Sequence, residues 1–266
     1  ISTESADDFI ATTGYSIVEC QERIDRTQRP FSFLTGNQVG IKVTANYVKN
    51  AKTMNVVGLL EGNDPELKDE YLIIGAHLDH VGSQAGLLFP GANDNASGSA
   101  GVLEIAEAFT LSDLKPKRSI LFVLFASEEQ GLYGSEYFVE NLKINSENIT
   151  AMFNLDCVGY GDSIQIGNGE SSPGLWNIAN KIDEEISNLI VSDTWSGGGA
   201  DATPFHKKGI PCLYFVSKYS YDHIHQPTDT PETLNPNVFE NIVKLAYLTA
   251  RKVAGGNYKR EAVINQ

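Results

Sequence analysis

The stretch from Asn55 to Val216 predicts a three-layer α/β sandwich, in which a mixed, mostly parallel central sheet is covered by helices on both faces. Three observations carry this. Short β-rich runs alternate with stretches of helical character, the rhythm of βαβ units. Most of the strand candidates lack polar alternation, as expected of strands buried on both faces. The stretches between them place apolar residues three or four apart, which gives a helix one face suited to covering a sheet.

In chain order, ESADDFIATTG (4–14) predicts a short helix, and VGIKVTANYVKN (39–50) alternates like an exposed edge strand. The first fifty residues are therefore expected to extend the same sheet, making 1–266 one domain. NVVGLL (55–60), YLIIGAH (71–77), SILFVLFA (119–126), AMFNLDC (151–157), SIQIG (163–167) and PCLYFV (211–216) are the strand candidates. The covering helices are expected at 96–109, 135–142, 173–186 and 202–209. A last long helix should span 236–254, with Phe239, Ile242, Val243, Ala246 and Ala250 turned inward. NDPELKDE (63–70) and SQAGLLFPG (83–91) read as surface loops, and the tail after Gly255 as peripheral.

The chain of 266 residues carries 34 Asp and Glu against 20 Lys and Arg, a formal net charge of −14. Such a balance argues against a nucleic-acid or anionic-membrane binder, which needs an excess of cations to neutralise phosphates. The longest apolar stretch, Ile120 to Ala126, is far shorter than the roughly 20 residues that span a bilayer. Three cysteines, Cys20, Cys157 and Cys212, are too few for a disulfide framework and read as buried small hydrophobes. No G-x-S-x-G elbow is present, and GNGES (167–171) lacks the lysine and third glycine of a phosphate loop.

The acids are informative in their placement. Open α/β sheets bind ligands beyond the carboxyl ends of their strands. YLIIGAH ends in His77 with Asp79 two residues on, and PGANDNASG sets Asp94 just before a helix. SILFVLFAS runs into Glu128 and Glu129, AMFNL into Asp156, and the loop after PCLYFV holds His225. Several carboxylates packed with two imidazoles repel unless a multivalent cation compensates them. Mixed imidazole and carboxylate donors without thiolate suit zinc or a neighbouring first-row ion. Adjacent Glu128 and Glu129 cannot readily share one ion, so one is expected to ligate while the other handles protons.

GAHLDHVG (75–82), PGANDNASG (90–98), FASEEQGLYGSEYF (125–138), NLDCVGYG (154–161) and HQPTDT (225–230) resemble, in order and spacing, the metal-binding segments of the co-catalytic di-zinc aminopeptidases. That family includes secreted bacterial leucyl aminopeptidases, and glutamate carboxypeptidase, transferrin receptor and glutaminyl cyclase are its relatives. The resemblance covers about residues 50 to 252. It implies a zinc exopeptidase fold and two Zn²⁺ per chain, one held by His77 and Asp156, the other by Glu129 and His225, with Asp94 bridging. It implies that Asp79 receives the second ring N–H of His77, that Glu128 is the general base, and that a cis peptide follows Asp94. The implied substrate is a peptide with a free N-terminus. Asp201, in GGGADATPF, matches a family acidic position near the substrate pocket. Some relatives stabilise the oxyanion with a tyrosine where this chain has the glycines 197–199, and Tyr219 or Tyr221 could substitute.

The resemblance further implies a secreted, periplasmic or cell-surface location. It also suggests a fragment of a longer chain that carries a protease-associated insert upstream. Two competing readings keep the same fold: carboxypeptidase or dipeptidase action, which needs a basic residue for the substrate carboxylate, and a non-catalytic receptor-like homologue, which would have lost ligands. His80, His206 and His223 are expected in solvent-exposed or hydrogen-bonding roles. Trp176 is expected in the core, and Trp195, ahead of the glycine run, is a candidate for substrate contact.

Overall fold

The computed structural model describes every residue except 45, 85, 219–221, 265 and 266, and divides into two compact units, Ile1–Ala51 and Lys52–Gln266. In the first unit, α1 (Thr3–Ile10) and α2 (Ile17–Thr27) carry local start signals. Ser2 accepts from the Ser5 amide, and Ser16 and Glu19 form a reciprocal capping box that satisfies two otherwise orphaned N–H groups. Tyr15, Phe31 and Phe33 cluster, and the Arg23 guanidinium lies 4.0 Å from the Phe31 ring centroid. The expected edge strand over 39–50 does not form among the described residues. Alternation makes a strand only where a neighbour accepts from its N–H groups and donates to its C=O groups, and here Val39, Ile41 and Val43 stay exposed without a ladder.

The second unit is the α/β sandwich. Its strands are β1 (Val56–Leu60), β2 (Tyr71–His77), β3 (Gly82–Gln84), β4 (Leu87–Phe89), β5 (Ser119–Phe125), β6 (Ile149–Leu155), β7 (Ser163–Gly167) and β8 (Cys212–Lys218). Six of them form one sheet in the order β1-β5-β2-β6-β8-β7. The inner four run parallel, while β1 and β7 close the edges antiparallel. β2 and β6 are buried almost end to end, which explains their lack of alternation. The covering helices are α3 (Gly98–Leu111), α4 (Tyr133–Asn141), α5 (Pro173–Ile186), α6 (Ala202–Lys207) and α7 (Pro236–Ala254). One core joins β2, β6 and β8 to α3, α5 and α7 through Val102, Ile105, Leu175, Ile242 and Leu245; a second, around Phe125 and Phe205, lies on the α4 and α6 side.

Three expectations need correction. The inward stripe of α7 is set by Val238, Ile242, Leu245, Ala246, Thr249 and Ala250, so Phe239 and Val243 sit at its margin and Thr249 inside it. The Thr249 hydroxyl makes this possible by donating to the Leu245 carbonyl at 2.8 Å. The tail after Gly255 is pinned rather than peripheral: Glu261 accepts from the Gly174 and Leu175 amides at the start of α5, and Arg260 donates to the Ser146 and Gly209 carbonyls. Within 83–91, β3 and β4 form a short exposed hairpin. All three cysteines are free and buried, and Trp176 packs against the main core. No helix among the described residues is long and apolar enough to cross a membrane.

Candidate metal centre

The parallel strands deliver their chemistry to one end of the sheet. His77 is the last residue of β2, Asp156 follows β6 directly, and Glu128 and Glu129 follow β5. Past β5 and β6 the chain turns sharply, with Ser127 at φ 56° and Cys157 at φ 53°, left-handed conformations that side-chain-bearing residues rarely adopt. Asp94 lies between β4 and α3, next to a cis peptide to Asn95. His225 lies in the loop after β8.

These residues meet. Asp94 faces two histidines with its two oxygens, Oδ1 lying 3.2 Å from His77 Nε2 and Oδ2 3.2 Å from His225 Nε2. On the first side Asp156 Oδ1 is 3.5 Å and Glu128 Oε2 3.9 Å from His77 Nε2. On the second, Glu129 Oε2 is 2.9 Å from His225 Nε2. Ligating atoms of His77, Asp94 and Glu129 lie within 4.8 Å of one another, as do those of His77, Glu128 and Asp156.

The surrounding chain fixes this geometry through groups far apart in sequence. Asp229, fully buried, accepts from the Asn93 amide at 2.8 Å and the Asp94 amide at 3.0 Å. Asn93 and Asn95 accept from the Gly159 and Cys157 amides, tying the Asp94 segment to the end of β6. Asp79 departs from its expected contact. Its main-chain carbonyl is 3.0 Å from His77 Nδ1, whereas its carboxylate, 4.0 Å from that nitrogen, accepts from the Glu128 and Glu129 amides at 3.0 and 3.3 Å. Asp79 thus still orients His77, and also holds the turn that presents both glutamates.

The electrostatics call for a cation. Burial opposes a charge on His77, but its contacts with Asp156 and Asp94 overcome burial and push the imidazole up to about 12. Burial likewise raises the Glu128 carboxyl to about 8, with His77 opposing and Asp156, Asp201 and Glu129 adding to the rise. For Glu129, burial and then Asp94 push the carboxyl up, against the pull of His225, His80 and His77. Among the described residues, every ion pair made by Asp94, Glu128, Glu129 and Asp156 is with a histidine, and the buried Oε1 of Glu129 has no hydrogen bond. Imidazole and carboxylate donors of this kind fit zinc. The Cys157 thiol lies close to Asp94 and Asp156, yet burial and those carboxylates push its pKa well up, so it remains a neutral neighbour.

Asp201 is fully buried, and burial raises its carboxyl to about 7. Neither of its oxygens has a hydrogen bond among the described residues; the Ser135 hydroxyl beside it donates to the Leu132 carbonyl instead. Tyr219 and Tyr221 lie outside the described residues. Trp195 donates its Nε1–H to the Gly198 carbonyl and packs against Tyr214. His223 contacts Thr228 and the Tyr160 ring, while His206 is buried in α6. Of the two roles expected for His80, solvent-exposed or hydrogen-bonding, exposure does not hold: its side chain is only 10% exposed and places Nδ1 2.7 Å from Glu129 Oε1. Asp229 is the functional residue missed in sequence. It stands inside HQPTDT, four residues after His225, and its burial is the signal that position alone could not supply.

Residues 55–250 match the family described as peptidase family M28. A probable leucine aminopeptidase of Arthroderma benhamiae is 30% identical over 200 residues, covering 71% of this chain and 56% of that protein. A probable zinc metalloprotease of Pyrenophora tritici-repentis is 41% identical over 214 residues, covering 64% and 48%. The crystal structure of the LapA aminopeptidase of Legionella pneumophila superposes with a TM-score of 0.66 at 26% identity, over 76% of this chain and 55% of that one. The chain spans about half the length of the relatives it matches.

Proposed function

The chain belongs to peptidase family M28, and from that premise we propose that it is a zinc-dependent exopeptidase releasing N-terminal residues from peptides. His77 and Asp156 would hold one Zn²⁺, Glu129 and His225 would hold a second, and Asp94 would be shared by both. The observation that carries the reading is the division of Asp94, whose two oxygens each face a different histidine at 3.2 Å. A bridging carboxylate needs that arrangement, and a single-ion site does not.

Bound there, zinc supplies Lewis-acid polarisation of the scissile carbonyl and acidifies water. Glu128 does the proton work. Its carboxylate sits beside His77, placed to take a proton from the attacking water and pass it to the leaving amine. Asp79 holds the Glu128 amide and so fixes where that carboxylate can reach. The excess of carboxylates around the centre favours a substrate's α-ammonium group. Asp201 adds to that negative field when ionised, its charge acting on Glu128, and Tyr219, Tyr221 and Trp195 are assigned to substrate contact. The motif resemblance also supports a secreted, periplasmic or cell-surface location and a protease-associated domain in a longer parent chain.

The test is a panel of aminoacyl-p-nitroanilides and N-blocked peptides, with and without chelator. Free-amine substrates should be cleaved, chelator should abolish turnover, and Zn²⁺ should restore it. Preference for N-blocked peptides would favour carboxypeptidase action, and chelator-insensitive turnover would refute the reading. Glu128→Gln should retain about two zinc ions per chain while kcat falls by at least about 10²-fold.

A further inference from the structure

His80 follows Asp79 in the segment after β2 and is not needed to complete either ion's ligand set. Its ring is nevertheless built into the centre. Nδ1 lies 2.7 Å from Glu129 Oε1 and 3.9 Å from Asp94 Oδ2, and the ring is 5.7 Å from that of His225. Gly91, at φ 66°, backs it: a Cβ there would stand 2.5 Å from His80 Cγ, so no side chain fits between ring and backbone. Both ring nitrogens are buried, and neither they nor Glu129 Oε1 have an aligned hydrogen bond among the described residues.

The two oxygens of Glu129 are thereby divided. Oε2 faces His225 at 2.9 Å and Oε1 faces His80 at 2.7 Å. We propose that His80 is a positioning residue for Glu129: its Nδ1 engages Oε1, holds the carboxylate to one oxygen at the metal, and sets the affinity of the ion that Glu129 and His225 share. The inference rests on the two-ion reading above. Direct ligation by His80 fits less well, because Nδ1 is nearer to Glu129 Oε1 than to the bridging Asp94 oxygen by more than an ångström. Partners that orient a ligand in this way typically change metal affinity by roughly 10–100-fold.

The experiment compares wild type, His80→Ala, His80→Asn and His80→Gln. The Asn amide nitrogen occupies the place of Nδ1, whereas the Gln amide reaches the place of Nε2. Each protein is titrated with zinc against a competing chelator and, separately, saturated with Co²⁺ for its visible spectrum. His80→Ala and His80→Gln should bind one ion as wild type does and the other roughly 10–100-fold more weakly. His80→Asn should recover most of the loss, and all four Co²⁺ spectra should agree at saturation because the ligand set is unchanged. Equal affinity of His80→Asn and His80→Gln overturns the proposal, and that comparison survives if the alanine variant fails to fold. A changed spectrum at saturation also overturns it, in favour of direct ligation. If wild type binds two ions and these variants match it, this inference alone fails; if wild type binds fewer than two, the two-ion reading fails and this inference with it.

Discussion

Replacing Asp229 by alanine tests whether the centre is held from behind. The carboxylate is fully buried and accepts from two amides, Asn93 at 2.8 Å and Asp94 at 3.0 Å, on residues that are themselves 3% and 4% exposed. Alanine removes both acceptors, and water has little access to replace them. Each orphaned buried N–H costs about 1–3 kcal/mol, so the pair costs about 2–6 kcal/mol. Relief of repulsion between Asp229 and the other carboxylates places the result toward the lower end. For a unit of this size about 1 kcal/mol moves the melting temperature by roughly 2–4 °C, which predicts a drop of roughly 5–15 °C. Thermal unfolding followed by circular dichroism in chelator reads the structural cost, and zinc competition reads the loosening of Asp94. Melting within about 2 °C of wild type together with unchanged zinc affinity would refute the argument.

The metal-free protein should lose stability as pH rises. Folded Glu128 keeps its proton to about 8 and Asp201 to about 7, while unfolded carboxyls lose theirs near 4, so the folded state binds more protons across that window. His77 acts in the same direction: its stabilisation is complete below its ordinary 6.5 and is lost as pH climbs toward about 12. Melting scans in chelator from about pH 5.5 to 8.5 should therefore fall, with zinc giving its largest stabilisation at the alkaline end; a rising curve would contradict the assignment. Asp201→Asn should match wild type at pH 5.5 and exceed it at 8.5 in chelator, because the amide never has to ionise in that buried place, and equal losses at both pH values would count against it. Gly134→Ala should destabilise by about 1–3 kcal/mol or more in urea titration, since the added Cβ would stand 2.1 Å from the Ala126 carbonyl oxygen where α4 meets the end of β5. A neutral effect would mean that α4 can move away from the strand.

What the sequence made legible follows from range. Strand identity and the ends of strands are local properties, and His77, Glu128, Glu129 and Asp156 each stand at or just after the end of an apolar run. The roles of Asp229 and His80 are not local. Asp229 acts on amides 136 and 135 positions away, and His80 on a carboxylate brought to it by another strand. On α7, Ile242, Ala246 and Ala250 face inward as their spacing predicts, but Thr249 joins them because it buries its hydroxyl on its own helix, so polarity alone does not mark the outer face. The tail looked peripheral because its anchors, Arg260 and Glu261, are the charged residues that normally signal solvent. At 39–50 a clean alternating pattern formed no ladder among the described residues, since a strand is a property of a pair.

The distribution of the centre along the chain has a consequence for timing. Its segments come from strands that neighbour one another in the sheet but are far apart in the chain: the first and last proposed ligands stand at residues 77 and 225, with the parallel strands β5, β6 and β8 between them in sequence. Bringing such distant positions together costs chain entropy that is offset only as the strands pair. The residues proposed to act on a peptide are therefore brought together only as those strands pair. On the two-ion reading, both ions would be held only with that sheet in place, so a slip of the strands would cost the site its ligands.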